Sequence, residues 1–266
     1  MPSRIRTKDF FILSLFMLTI TIPMFLSSSI MSQMMIHIDN PSWWQFFTAS
    51  FTHHNFNHYI NHLILLGMLL VAQVILVAKM KLKTRYYWLL VFTFMTFPVL
   101  SAMVQVLIYP SVLPFLKEIA GASGLVSAVF GFIPIIVMKF LARNRKKKVF
   151  TLTLLLAIVL YIELLFLLMY YHTTYALVAF IVVLSIILYL IHLSEKPLKE
   201  LQEGLSNIWK RDKVLHIFIL AQIGIFLLVP LILFPLDILR WNLFVDIFTH
   251  LFGILYGVIV SFVFFR

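Results

Sequence analysis

The sequence predicts an all-α, polytopic membrane protein, and three observations carry that prediction. Apolar residue types make up 62% of the 266 residues and charged types only 12%, where a soluble domain has roughly 45–50% and about 25%. The mean hydropathy is +1.04. Long apolar runs alternate with short basic connections, a pattern typical of membrane spans. Together these features exclude a soluble globular enzyme, a disordered chain and a coiled coil.

Eight apolar runs reach the roughly 20 residues that a helix needs to cross a bilayer. We predict helices because a helix satisfies all of its backbone hydrogen bonds within lipid. The first run is too long for a signal peptide and lacks a small-residue cleavage site, so we expect a retained span. The predicted spans are residues 10–31, 58–78, 86–108, 121–140, 149–170, 175–193, 214–235 and 244–265.

The basic residues test this count. All but two of the 21 Lys and Arg residues precede the first span, follow the last, or lie on alternate connections, and only Lys117 and Arg240 fall on the other side. By the positive-inside rule, both termini are predicted to be cytoplasmic. The net charge of +11 therefore indicates topology, and we predict no nucleic-acid partner.

Two connections are longer than the others. The outer one, residues 32–57, carries Trp43 and Trp44, which suit the headgroup region. The inner one, residues 194–213, is charged and weakly amphipathic, so we expect it to lie along the cytoplasmic surface. A loop near residues 111–120 is expected to cap an outer cavity that admits water.

Polar residues gather at the outer ends of three spans that run in the same direction. Such residues are costly in a bilayer and point to function. Span two opens with His58, Asn61 and His62, span four with residues 121–124, and span eight with Asp246, Thr249 and His250. The three groups are therefore expected at a similar depth near the outer leaflet.

Ser123 lies between two glycines at the start of a predicted helix. Glycine permits close approach of a substrate or of a neighbouring helix, and helix-start N–H groups can donate to an oxyanion. The run therefore has two interpretations, helix packing and a serine nucleophile.

His250 precedes Gly253 and Gly257, whose spacing lets one helix lie tightly on another. A Ser–His pair brought together in this way would form a nucleophile–base dyad.

The spacing of His54, His58 and His62 also invites a metal interpretation, since helical residues four apart share a face. No HExxH motif is present and no carboxylate lies within this helix, so we predict no metal and no cofactor. The chain has no cysteine, which excludes disulfides and thiolate ligands. The competing interpretation is that His58 and His62 donate hydrogen bonds to a developing oxyanion.

Together these residues resemble the rhomboid family of intramembrane serine proteases. Residues 121–124 match the family's GxSG motif, and Gly131 fits the glycine that follows it. His250, Gly253 and Gly257 match its HxxGxxxG pattern. His53 and His58 match the first two positions of a His-x4-His-x3-Asn pattern.

The resemblance implies that Ser123 is the nucleophile, that His250 is the general base, and that His58 and the Ser123 N–H form the oxyanion hole.

The sequence also departs from the family pattern. His62 occupies the Asn position, and Ser127 stands where many members have an aromatic residue against the catalytic His.

The family core has six helices, so spans 149–170 and 175–193 look like an inserted pair between core helices 10–140 and 214–265. We expect one membrane domain over residues 1–266. Glu163 lies within the inserted pair. Its candidate partners are Gln105 and Gln222, which belong to other predicted spans.

We therefore predict an intramembrane serine endopeptidase that cleaves membrane proteins in or near their transmembrane segments. Its partners would be transmembrane substrates and the bilayer, and we predict a prokaryotic plasma membrane with the active site toward the outer leaflet. Two alternatives stay open: an inactive relative that binds membrane clients, and a metal-dependent enzyme or transporter. The predicted roles are Ser123 and His250 in catalysis; His58, His62 and Gly121 in oxyanion or substrate binding; and Gly124, Gly131, Gly253 and Gly257 in helix packing.

Overall fold

The structure, a computed structural model, describes residues 5–53, 56–112, 118–143, 195–233 and 247–266. The predicted inserted spans 149–170 and 175–193, with Glu163, lie outside these ranges, as does Asp246. The chain divides into two compact units, residues 1–132 with 248–264 and 266, and residues 133–247 with 265.

Ten α-helices and two short strands are present in the described ranges, and two 3₁₀ turns (Ile22–Phe25 and Ala49–Phe51) extend α1 and α3. In chain order they are α1 (Thr7–Thr21), α2 (Ser28–Met34), β1 (Ile36–His37), α3 (Gln45–Thr48), α4 (Phe56–Lys79), α5 (Lys83–Val112), β2 (Glu118–Ile119), α6 (Ser123–Phe130), α7 (Phe132–Arg143), α8 (Glu195–Arg211), α9 (Lys213–Leu233) and α10 (Ile247–Phe265).

The apolar helices confirm a membrane-embedded, predominantly helical protein. Among the described residues, four segments are long and apolar enough to cross a bilayer, and two shorter apolar helices accompany them. The long segments are Thr7–Phe25, Phe56–Lys79, Lys83–Pro110 and Ser123–Ala142, and the shorter ones are Lys213–Leu227 and Thr249–Phe265. The total of eight spans stays a prediction.

The first span ends earlier than the sequence predicts. The helical chain stops at Phe25 because Leu26 adopts an extended backbone. The Ser27 hydroxyl then accepts a hydrogen bond from the Ile30 N–H and caps the separate helix α2. An apolar run alone did not reveal this break, because residues 26–31 stay as apolar or small as the span before them.

A small β-ribbon corrects the expectation of a wholly helical chain. β1 and β2 pair antiparallel, with Ile36 opposite Ile119 and His37 opposite Glu118. Ile36 and Ile119 pack with Ala102 and Tyr109 of α5 in one buried cluster. The ribbon therefore joins the connection after α1 to the segment that leads into α6.

Helix α6 is central in the first unit. It packs against α4 and α5, and most of its residues are buried. Its backbone is fixed to α4 by the buried amide of Gln73, which donates to the Val129 carbonyl at 2.8 Å. The Tyr86 hydroxyl in turn donates to the Gln73 amide oxygen at 3.0 Å. Each polar atom of this amide is therefore satisfied in an apolar setting, which favours one register of α6 on α4.

A buried carboxylate fixes α1 to the start of α5. Asp9 is fully buried, and its oxygens accept hydrogen bonds from Lys83 Nζ at 2.7 Å, the Tyr87 hydroxyl at 2.6 Å and the Arg6 N–H at 2.7 Å. An ion pair of this kind is sensitive to the loss of one partner, because the other charge is then left uncompensated.

We expect Asp9→Asn to lower the free energy of unfolding by about 2 kcal/mol, less than for a fully buried pair because Lys83 retains some exposure. Thermal unfolding in detergent micelles measures the change. The double variant Asp9→Asn/Lys83→Met should recover part of the loss, since no unpaired ammonium remains. Equal stability of Asp9→Asn and the wild type would show that the pair contributes nothing.

The second unit contains the amphipathic helix predicted for residues 194–213. This helix, α8, buries Ile208 and Gly204 and exposes Lys199, Lys210 and Arg211. The Leu205 carbonyl lies 2.9 Å from Nδ1 of His216 on α9. Asp212 separates the two helices and caps α9, because its carboxylate accepts a hydrogen bond from the Leu215 N–H at 2.9 Å. The helical part of that prediction is confirmed, and its place at the cytoplasmic surface stays a prediction.

Candidate active site

Helices α6 and α10 approach each other until their backbones touch. A Cβ placed on Gly257 would overlap the carbonyl oxygen of Ala128, and one on Gly253 would overlap that of Gly124. From the other side, a Cβ on Gly131 would overlap the Ile254 carbonyl oxygen. Only glycine fits at such contacts. The packing role of these glycines stays a prediction, and these close approaches support it.

The same contact fixes the register between Ser123 and His250. A Cβ on Gly124 would overlap the Thr249 methyl group. Gly124 directly follows Ser123, and Thr249 directly precedes His250. The first turn of α6 and the first turn of α10 therefore lie side by side, with the candidate nucleophile on one and the candidate base on the other.

Ser123 is the first residue of α6. Ala122, the residue before it, has φ −77° and ψ −1° and makes no side-chain cap. The first N–H groups of a helix have no partner within the helix, so this end offers backbone donors beside the Ser123 hydroxyl. Such donors suit a negatively charged oxygen.

Gly121 shapes the approach to Ser123. Its φ of +143° lies in a region that residues with a side chain rarely adopt. Its N–H donates to the Ala49 carbonyl at 3.0 Å, which joins the chain before α6 to the 3₁₀ turn after α3. The glycine at the first position of the motif is therefore required by the backbone path that presents Ser123.

The connection between α2 and α4 forms a rigid platform beside these helix starts. The buried Gln45 side chain accepts from the N–H groups of His37 and Ser42 at 3.4 and 3.0 Å, and donates to the Gln33 carbonyl at 3.2 Å. Trp43 on this platform is 83% exposed. Such an exposed indole suits the headgroup region of a bilayer, as predicted for this connection.

Three imidazoles gather at the start of α4, and a fourth, that of His250, lies at the start of α10. The ring centroids of His58 and His62 lie 4.1 Å apart, and that of His53 lies 6.0 and 5.3 Å from them. His62 also lies close enough to His250 to interact with it electrostatically. The polar start of α4 therefore lies within electrostatic reach of His250 at the start of α10. His54 lies outside the described residues.

The described imidazoles interact directly with one another. Over the described ranges, no group of three or more His, Asp or Glu side chains is arranged to hold a metal ion. His53 instead makes a direct hydrogen bond with His62, since His53 Nε2 and His62 Nδ1 lie 3.1 Å apart.

A buried polar cluster that the sequence did not reveal holds the start of α10. The Gln105 amide of α5 donates to the Thr249 hydroxyl, and the Tyr109 hydroxyl lies 3.2 Å from the same oxygen. All three side chains are buried. The sequence singled out Gln105 as a candidate partner for Glu163 because Gln105 is a polar residue within a predicted span. Its contact with Thr249 could not be predicted without knowing how the helices pack.

The comparisons with known proteins add no family assignment. No family model, curated protein or solved structure matches the chain. The functional argument therefore depends on the residues and their arrangement.

Proposed function

We propose that the chain is an intramembrane serine protease that hydrolyses peptide bonds in or near the transmembrane segments of other proteins. The observation that carries the proposal is the glycine contact between α6 and α10. It places Ser123 and His250 on adjoining first turns in a segment of the protein built from apolar helices.

The chemistry follows from the two side chains. His250 takes the proton of the Ser123 hydroxyl as its oxygen attacks the scissile carbonyl carbon. The tetrahedral intermediate collapses to an acyl-enzyme when the amine leaves with that proton. Water then attacks the ester, with His250 again acting as base, and releases the second product.

The surrounding donors suit the negative oxygen of each tetrahedral intermediate. The N–H of Ser123 and the imidazoles of His58 and His62 would stabilise it, and in serine proteases one such donor contributes about 10²–10³ in rate. The dyad needs no carboxylate as a third member, because packing of α10 through Gly253 and Gly257 orients the helix that carries His250.

The membrane setting defines the substrate class. The site lies at the ends of helices long and apolar enough to cross a bilayer, so a substrate must bring its peptide bond to the membrane. We propose transmembrane proteins as substrates and a prokaryotic plasma membrane, with the site toward the outer leaflet according to the positive-inside rule.

Covalent labelling tests the nucleophile directly. The purified protein in proteoliposomes should react with a fluorophosphonate probe, and peptide mapping should place one adduct on Ser123. Ser127→Ala, one turn along α6, is the matched control and should be labelled at the wild-type rate. Labelling that persists in Ser123→Ala would refute the assignment, and absence of labelling in folded wild-type protein would favour an inactive client-binding protein.

A further inference from the structure

The hydrogen bond between His53 and His62 determines which ring nitrogen of His62 carries a proton. His53 Nε2 and His62 Nδ1 lie 3.1 Å apart. A neutral imidazole has one N–H and one bare nitrogen, and one proton lies between the two rings. If His53 donates, His62 carries its own proton on Nε2. If His62 donates from Nδ1, its Nε2 is bare and can only accept.

The two arrangements have opposite consequences for an oxyanion. A negatively charged oxygen is stabilised by donors and repelled by the lone pair of a bare nitrogen. The His62 ring lies 4.1 Å from that of His58, which is itself proposed as an oxyanion donor, so His62 belongs to the group of side chains around the proposed chemistry. It can assist there in the Nε2–H form only.

We infer that His53 is a positioning residue that holds His62 as the Nε2–H tautomer, and that His62 in this form is an oxyanion donor. This inference rests on the proposed function of the site. It also explains how a titratable imidazole can act as a hydrogen-bond donor to the oxyanion. A second histidine fixes which of its two nitrogens carries the proton.

The surroundings of His53 suit this role. Its side chain is 1% exposed and contacts the Tyr59 ring edge-to-face, with centroids 5.5 Å apart. The residue before it is fully buried and held locally, since the Thr52 hydroxyl donates to the Ala49 carbonyl at 2.8 Å. His53 is therefore supplied by a constrained segment ahead of α4, and its ring packs against Tyr59 of the helix that carries His62.

Magnetic resonance of the histidine rings tests the tautomer without reference to activity. In full-length protein labelled with ¹⁵N-histidine in lipid, a proton bonded to a ring nitrogen gives a ¹H–¹⁵N correlation. The His62 signals are identified by their loss in His62→Asn. We expect a bonded proton on His62 Nε2 and a bare Nδ1 in the wild type. A bare Nε2 with a proton on Nδ1 would overturn the inference.

Two variants of His53 separate the hydrogen bond from packing. His53→Gln keeps an N–H donor near the position of Nε2, so it should preserve the tautomer and keep kcat within about threefold. His53→Leu removes the donor while filling the space. We expect it to lower kcat by about 10- to 100-fold, the scale seen when supporting residues of functional histidines are lost. KM should stay within about threefold, because the interaction develops in the transition state.

The same change in a His62→Asn background provides the decisive kinetic comparison. An amide carries two N–H donors whatever its neighbour does, so in the His62→Asn background His53→Leu should cost less than about threefold relative to His62→Asn alone. An equal loss in both backgrounds would mean that His53 acts through packing, and would overturn the inference. If His62→Asn does not fold, the His62 signals are identified by their loss in His62→Gln instead, and the tautomer in the wild type and in His53→Leu decides.

These outcomes are distinct from failure of the proposed function. If Ser123→Ala abolishes cleavage and His53→Leu changes neither the tautomer nor kcat, only the present inference fails. If cleavage survives Ser123→Ala, the protease proposal fails, and the tautomer measurement then stands as a structural result alone.

Discussion

Replacing Ser123 by alanine is expected to reduce cleavage of a transmembrane substrate in proteoliposomes by at least about 10³-fold. Removal of the nucleophile in a serine protease eliminates the covalent route and leaves only the small residual contribution of binding and oxyanion stabilisation. His250→Ala should cause a loss of the same order, because the unassisted hydroxyl is a weak nucleophile. When two residues act as one unit, the rate losses caused by replacing each of them do not add. The cleavage rate of the double variant should therefore resemble that of either single variant.

The control for this experiment lies on the same helix. Ser127→Ala removes a hydroxyl one turn from Ser123 and keeps the Cβ that faces Gly253, so it should cleave at close to the wild-type rate. Thermal unfolding of each variant confirms that it is folded. Cleavage that survives Ser123→Ala and stops on addition of a chelator would contradict the serine mechanism and favour a metal-dependent enzyme.

The sequence was sufficient to predict a helical membrane protein and a shared depth for three polar helix ends, while its count of eight spans stays a prediction. Lipid permits few solutions for a long apolar run, so residues such as His58 and His250 stand out as costly exceptions. The direction of each helix followed from the alternation of basic residues. A shared depth for Ser123, His58 and His250 is then a geometric consequence, and the described helices bring these ends together.

The sequence could not reveal contacts between positions far apart in the chain. Asp9 binds Lys83 across 74 positions, and each residue alone is consistent with an ordinary basic or acidic helix end. The β-ribbon has two residues in each strand, too few to produce a periodic pattern. His53 looked like one of several closely spaced histidines, and its hydrogen bond to His62 depends on how the chain before α4 folds back.

Adding one methyl group at Gly257 is expected to have the second large effect. A Cβ at this position would overlap the carbonyl oxygen of Ala128 and lie 2.9 Å from its carbonyl carbon. Both are backbone atoms, which cannot move aside as the end of a flexible side chain does. We therefore expect Gly257→Ala to lower the free energy of unfolding by about 3 kcal/mol, the upper part of the range for overpacking.

The functional loss should exceed what instability alone explains. Since α10 must move away from α6, the first turn with His250 shifts relative to Ser123, and a displacement near 1 Å at a catalytic group costs about 10²-fold in rate. We expect Gly257→Ala to reduce cleavage by at least about tenfold at a temperature where the variant remains folded, measured in the proteoliposome assay. Gly253→Ala should act in the same direction, because its Cβ would overlap the Gly124 carbonyl next to Ser123.

Gly224 on α9 provides the matched control. Among the described residues, no atom beyond the neighbouring α9 backbone lies within 4 Å of a Cβ placed there, so Gly224→Ala adds the same methyl group without a collision with them and removes the same backbone freedom from the unfolded chain. Its stability and cleavage rate should stay at or slightly above the wild-type values. If Gly224→Ala and Gly257→Ala lose stability and activity equally, then the effect comes from glycine as such. The separation of α6 and α10 would then not be what sets the distance between nucleophile and base.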